Sequence, residues 1–319
     1  MSNDGADNNE ANPDYWVSMG YTLQREGKPE KAQKYYERAL ELDPENTALL
    51  INLGSVLYHQ GKIDEALKYL KYATKTNPDI FEGWVNLGTV YDAINNLDEA
   101  IACYSRAKSL NPSDPTIWHN IGFVLKRQNK LSDAIVHYNE SLRLRPDNIQ
   151  VLLARGNAYA ALKEYDKASD SYERITKVDP DFLPGWVNKA VVLLHLHKFE
   201  EAIPLYDRAL KMSPDNLSLW QDKSYAHISL QQYREADHCY DEILKRDPNH
   251  VNALDGKGVV QGYLGNFKQA VLFFDKALNL DPKNSHIIRN KASALEQLGD
   301  NASAKQYYDQ AMSIELGYQ

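Results

Sequence analysis

Apolar side chains in this chain recur at helical spacing in short bursts, each broken by a polar turn. Within each 34-residue window they fall at positions 3, 4, 7, 10 and 11, then at 20, 21, 24, 27 and 28. Each burst is the stripe of one amphipathic helix of about three to four turns. Turns such as QGKIDEA and LGNFKQA separate the two bursts, so each window predicts a helix, a tight turn and a second helix.

The window repeats without insertion. Prolines stand at 44, 78, 112, 146, 180, 214, 248 and 282, each one full window after the last, where proline stops the second helix. Counting back from them gives nine repeats, 13–46, 47–80, 81–114, 115–148, 149–182, 183–216, 217–250, 251–284 and 285–318. Position 20 is alanine in every repeat, from Ala32 to Ala304. Position 24 is aromatic throughout except at Leu70, and position 8 is always Gly, Ala or Ser. Small residues at 8 and 20 let two helix axes approach, and large residues at 4 and 24 fill the space left. One helix pair cannot bury its apolar stripe alone, so the repeats must stack. The remaining residues 1–12, polar and acidic, read as a disordered tail.

A 34-residue period with Trp or Leu at 4, Gly or Ala at 8, Ala at 20, Tyr or Phe at 24 and Pro at 32 resembles the tetratricopeptide repeat family. That resemblance implies an all-α fold, a right-handed superhelix or α-solenoid of nine helix-turn-helix repeats. It also implies that the first helices line a concave groove where partners bind. By the same resemblance, positions 2, 5, 6, 9, 12 and 13 of each first helix face that groove. No repeat has lysine at position 5, which the chaperone-tail receptors of the family require.

Position 6 supplies the first candidate site: Asn52, Asn86, Asn120 and Asn188, with Asn290 near the end. A side-chain amide offers both a donor and an acceptor, so a row of them can hold an extended peptide backbone without reading its sequence. The run is similar to the asparagine ladder of the O-linked N-acetylglucosamine transferases. Ala154, Asp222 and Gly256 interrupt it. In the fourth repeat His119, Phe123, Lys126 and Arg127 share the expected groove face with Asn120. That repeat has five cations against three carboxylates, whereas its predecessor has two against five. An aromatic ring flanked by cations suits an acidic peptide.

Position 7 changes character along the chain. It is Met19, Leu53, Leu87 and Ile121 in the first four repeats, then Arg155, Lys189, Lys223, Lys257 and Lys291. Position 25 becomes Glu173, Asp207, Asp241, Asp275 and Asp309 over the same five repeats. This matching predicts charge pairs, either within a repeat or with a neighbouring one, with Lys189 and Asp207 one candidate, or reflects duplication of a single ancestral repeat.

Composition narrows the function. A net charge of −8 over 319 residues argues against a nucleic-acid binder or a protein docked on anionic lipid. Two distant cysteines, Cys103 and Cys239, read as free thiols and, with no secretory signal, place the chain in the cytoplasm. His195 and His197, two apart in sequence, point in different directions on a helix, and His238–Cys239 lacks a second ligand pair, so no metal or other cofactor is expected. GKGVVQG lies within a helix with no strand before it, which favours small-residue packing over phosphate binding. The expectation is a non-enzymatic scaffold binding a protein or peptide segment. A targeting or regulatory subunit for a separately encoded enzyme, a glycosyltransferase being one candidate, and an array that self-associates end to end through Tyr307, Met312 or Ile314 stay open beside it.

Overall fold

The computed structural model describes residues 13–317, and every regular element among them is an α-helix. The expected tail over 1–12 lies outside the described residues. Contacts divide the described residues into two compact bodies, one ending at Leu162 and the other beginning at Lys163. The first contains α1 (Pro13–Arg25), α2 (Pro29–Leu42), α3 (Thr47–His59), α4 (Ile63–Thr76), α5 (Phe81–Ala93), α6 (Leu97–Leu110), α7 (Pro115–Arg127), α8 (Leu131–Leu144) and α9 (Ile149–Ala161). The second contains α10 (Tyr165–Val178), α11 (Leu183–His195), α12 (Phe199–Met212), α13 (Leu217–Ser229), α14 (Tyr233–Arg246), α15 (Val251–Tyr263), α16 (Phe267–Leu280), α17 (Ser285–Gln297) and α18 (Asn301–Glu315). Each is a helical repeat stack, and the division falls inside the fifth window, 149–182.

Local chemistry sets the helix ends. The turn inside each pair passes through one left-handed residue at position 15, with Asn95, Asn129, Lys163, His197 and Gln231 at φ between 57° and 63° and glycine elsewhere. His197 is therefore a turn residue, while His195 stacks flat on Tyr165 with ring centroids 4.7 Å apart. The next first helix opens just after the proline, where Asn46, Asp114, Asn148, Asn216 and Asn284 accept hydrogen bonds from the helix's free N–H groups.

The core of each pair is a ring pressed on a residue with almost no side chain. Tyr36, Tyr138 and Tyr206 at position 24 are fully buried, as are Ala32, Ala134 and Ala202 at position 20. A β-carbon placed on Gly88 would sit 2.8 Å from the Tyr104 ring, and one on Gly258 would sit 2.5 Å from Phe274. Position 8 is small because position 24 of the same pair occupies its space.

Tryptophan at position 4 does more than fill volume. Trp84, Trp118, Trp186 and Trp220 donate their indole N–H to the carbonyls of Pro78, Pro112, Pro180 and Pro214 at 2.8–3.0 Å. The half-buried indole thereby fixes the proline turn that precedes its own helix.

The charged residues at position 7 are paired with the preceding repeat, one of the two expected registers, and this replaces the Lys189–Asp207 candidate. Lys189 does not meet Asp207; it reaches back into the preceding pair to Glu173, at 3.5 Å. Asp207 belongs instead to Lys223, at 2.6 Å. Lys257 meets Asp241 at 2.7 Å and Asp237 at 2.9 Å, and Lys291 meets Asp275 at 2.6 Å. In the first body Arg155 donates to Asn139 at 3.0 Å, with the same backward register. Each cation is thus a bolt between one helix pair and the pair before it. Side chains of Lys257 and Lys291 are only 8% and 10% exposed, so their ammonium groups are held almost entirely by these partners. Lys291 also donates to the Tyr307 hydroxyl at 2.6 Å, so Tyr307 is engaged within its own stack, while Met312 is exposed.

The pairing predicts a double-mutant outcome. Lys223→Met and Asp207→Asn should couple by about 1 kcal/mol in denaturant unfolding, while Lys189→Met and Asp207→Asn should add within about 0.5 kcal/mol. Coupling in the second cycle and additivity in the first would reverse the assignment.

Candidate peptide-binding face

In the first body the candidate amides lie on consecutive first helices. Asn52 is on α3, Asn86 on α5 and Asn120 on α7, each half-buried. None makes a side-chain hydrogen bond among the described residues, although each is positioned by a packed helix: Leu53, Leu87 and Ile121 beside them are buried. A half-buried amide with both polar ends unengaged favours occupation by a ligand's backbone or by water. Asn86 also lines a cleft of about 100 Å³ with Ser55, Tyr58, His59 and Thr89, between α3 and α5.

The fourth repeat gathers its expected residues unequally. Phe123 is exposed, and the Lys126 ammonium lies 5.1 Å from its ring centroid. His119 stands 6.4 Å from Phe123 and 6.1 Å from the Tyr138 ring beneath. Burial, with Lys126 nearby, holds the His119 imidazole below the usual histidine range, so it is neutral at pH 7 and polar without adding charge. Arg127 is engaged with the preceding repeat. Its guanidinium bonds the Asp92 carboxylate, the Asp92 carbonyl at 2.9 Å and the Asn95 side chain at 2.7 Å, clamping the end of α7 to the end of α5. The local cation at the aromatic is Lys126 alone. Asn188, on α11, is half-buried and belongs to the second body.

A family model of the Cilia and flagella-associated protein 70 C-terminal domain matches residues 1–160. Tetratricopeptide repeat models match residues 153–216, 193–257, 251–284 and 290–317. With the ring-on-glycine pairs repeating through the structure, these matches decide the family. The chain belongs to the tetratricopeptide repeat family. None of the curated proteins compared with it matches. Among solved structures it is similar to the C-terminal part of a TPR repeat-containing protein from Cytophaga hutchinsonii, at 18% identity and TM-score 0.66 over 75% of this chain and 98% of that one. YrrB, described as a TPR protein with an unusual peptide-binding site, aligns at 22% identity and TM-score 0.53 over 59% of this chain and 97% of that one. A tetratricopeptide repeat protein from Parabacteroides merdae aligns at 18% identity and TM-score 0.52 over 83% and 98%. These likenesses show the shared fold.

Within the tetratricopeptide stack of the second body, the breaks in the amide row have a physical reason that periodicity within one repeat did not reveal. The side chain at position 24 reaches position 6 of the following repeat. Tyr206 donates to Asp222 at 3.4 Å. Gly256 lies under Tyr240, whose ring fills the space that a β-carbon there would need. Asn290 has asparagine at position 6 but is engaged, donating to Asp255 at 2.9 Å beside His286. In the first body Tyr138, whose counterpart at position 6 of the next repeat is Ala154, keeps a buried hydroxyl with no partner among the described residues.

Asp222 titrates abnormally for this reason. Burial raises its carboxyl above the usual carboxylate range, and the Tyr206 hydrogen bond only partly opposes that. At pH 7 the folded state therefore holds a poorly solvated charge that the unfolded chain does not. As pH falls, the folded carboxyl protonates first and the penalty is relieved; below the unfolded value both states are neutral. Asp222→Asn should raise the unfolding midpoint at pH 7, with the gain vanishing as pH falls through the raised folded value toward 3.8. Thermal unfolding across that range measures it, and a lowered midpoint at pH 7 would show that the charge stabilises.

Proposed function

We propose that this chain is a non-enzymatic protein-interaction scaffold that holds an extended peptide segment along the first-helix face of its first body. The carrying observation is the row of Asn52, Asn86 and Asn120, on the consecutive first helices α3, α5 and α7, with no internal hydrogen bond among the described residues to satisfy them. Backbone groups of a strand would pair with these amides, and sequence preference would come from the end of the row. There, the exposed Phe123 ring and the Lys126 ammonium favour a segment with an acidic residue next to an aromatic or aliphatic one. Neutral His119 supplies a polar wall, and Arg127 holds the face together by tying α7 to α5. The peptide-binding site named for YrrB, on a similar fold, supports the same use of a repeat stack. Asn188, in the second body, is a separate candidate contact. The described helices contain no span long and apolar enough to cross a membrane.

An array of capped acidic and aromatic–acidic peptides, screened against the intact protein, tests this reading. The best binder should lose about tenfold in affinity, near 1.4 kcal/mol, for Asn86→Ala/Asn120→Ala, and at least as much for Lys126→Glu. Unchanged affinity in both variants, with unfolding midpoints intact, would remove the amide row from the site.

A further inference from the structure

Two cavities open on the second-helix side of the stacks, in places that other repeats fill with their own tryptophan. One, of about 540 Å³, lies in the first body between α2, α3 and α4, with Leu50 at its floor and Leu40, Pro44 and Tyr69 on its walls. The other, of about 500 Å³, lies in the second body between α14, α15 and α16, with Leu254, Leu244, Pro248 and Phe273 in the same roles. The correspondence is positional: each cavity has leucine at position 4, leucine at 28 and proline at 32 of the repeat before, and an aromatic at 23.

Where position 4 is tryptophan, its surroundings overlap that set, with a cation added from position 26 or 30 in two repeats. Trp118 packs against His137 at position 23, with ring centroids 5.7 Å apart, and under Lys108 at position 28, 5.0 Å from its ring. Trp186 lies 6.0 Å from Arg208, and Trp220 lies 5.7 Å from Arg246. Each indole N–H meets the preceding proline carbonyl. Leucine at 50 and 254 removes both the ring and the donor. No donor among the described residues then reaches the Pro44 or Pro248 carbonyl, and cations remain on both rims, Lys68 beside Tyr69 at 5.8 Å and Lys276 beside Phe273 at 5.3 Å.

We infer that these two cavities are binding sites for the tryptophan side chain of a partner protein, which completes from outside the contact that other repeats make internally. The lining suits indole: the proline carbonyl can accept a ring N–H, and leucine and an aromatic ring form the walls. Each rim carries both signs of charge, Lys68 with Glu37 and Glu41 in one cavity and Lys276 with Asp241 and Glu242 in the other, so a neutral ring with one donor is matched better than a charged side chain. Phenylalanine would satisfy the walls and the cation but leave the proline carbonyl unpaired. In the first body this surface is separate from the amide face, so a segment in the cavity does not compete with one on the amides.

The intact protein, labelled with 13C at leucine methyls, tests this by titration with N-acetyltryptophanamide. Leu50 and Leu254 methyl signals should shift at millimolar ligand, and the 1-methylindole analogue, which has no ring donor, should bind about tenfold more weakly. Leu254→Trp should fill its own cavity, abolishing binding there while leaving the Leu50 response unchanged, and Leu50→Trp should do the reverse. Absence of shifts at both methyls, or equal binding of the 1-methyl analogue, would overturn the inference. The wild-type titration decides it even if either tryptophan variant fails to fold.

Discussion

The structure depends on a steric constraint: a large ring, or one leucine, lies against a position that can carry almost no side chain. The Tyr104 ring over Gly88 and the Phe274 ring over Gly258 set how closely two helices approach. That distance fixes which residues are left on the outer side of each first helix. Asn86 precedes Leu87 and Gly88 in sequence, so the packing that buries Leu87 and requires Gly88 also presents the amide on the neighbouring face. The candidate site is thus a consequence of the core rather than an addition to it.

A second relationship joins the second helix of each pair to the first helix of the next and is used for three kinds of chemistry. It carries ion pairs such as Asp207–Lys223, the phenol–carboxylate bond of Tyr206 and Asp222, and the close fit of Tyr240 over Gly256. Long side chains at these places keep their stems packed and bring polar ends to a partner in the adjacent pair, so burial does not leave a charge isolated. The second, third and fourth repeats have an apolar residue at position 7 instead, and their seam is held by the buried Leu53, Leu87 and Ile121.

Much of this was legible in the sequence because the period is strict. Proline spacing, invariant alanine and the aromatic at position 24 imply helix pairs with a close axis approach, and those are the pairs observed. The charge switch at Arg155 and Lys189 was visible too, but not its register. Matching residues within one repeat suggested Lys189 with Asp207, whereas the stacking geometry places position 7 against position 25 of the repeat before. A one-dimensional match cannot distinguish those offsets when each of the last five repeats carries both charges. The engagement of Arg127 was not legible for a related reason: its helix position implies the face, but not that its long side chain reaches Asp92 and Asn95 of the preceding repeat. The indole bond to proline was hidden because it requires knowing that a ring one short turn past the proline folds back over it.

The peptide-binding reading of the first body turns on whether the amides of Asn52, Asn86 and Asn120 are held unengaged for a bound chain. Side-chain amide NMR of these three residues, recorded with and without a bound peptide, measures it directly. Their NH2 signals are expected to shift together and become protected from solvent exchange, while that of Asn290, already bonded to Asp255, stays in place. Peptide binding that leaves all three signals unmoved would contradict it.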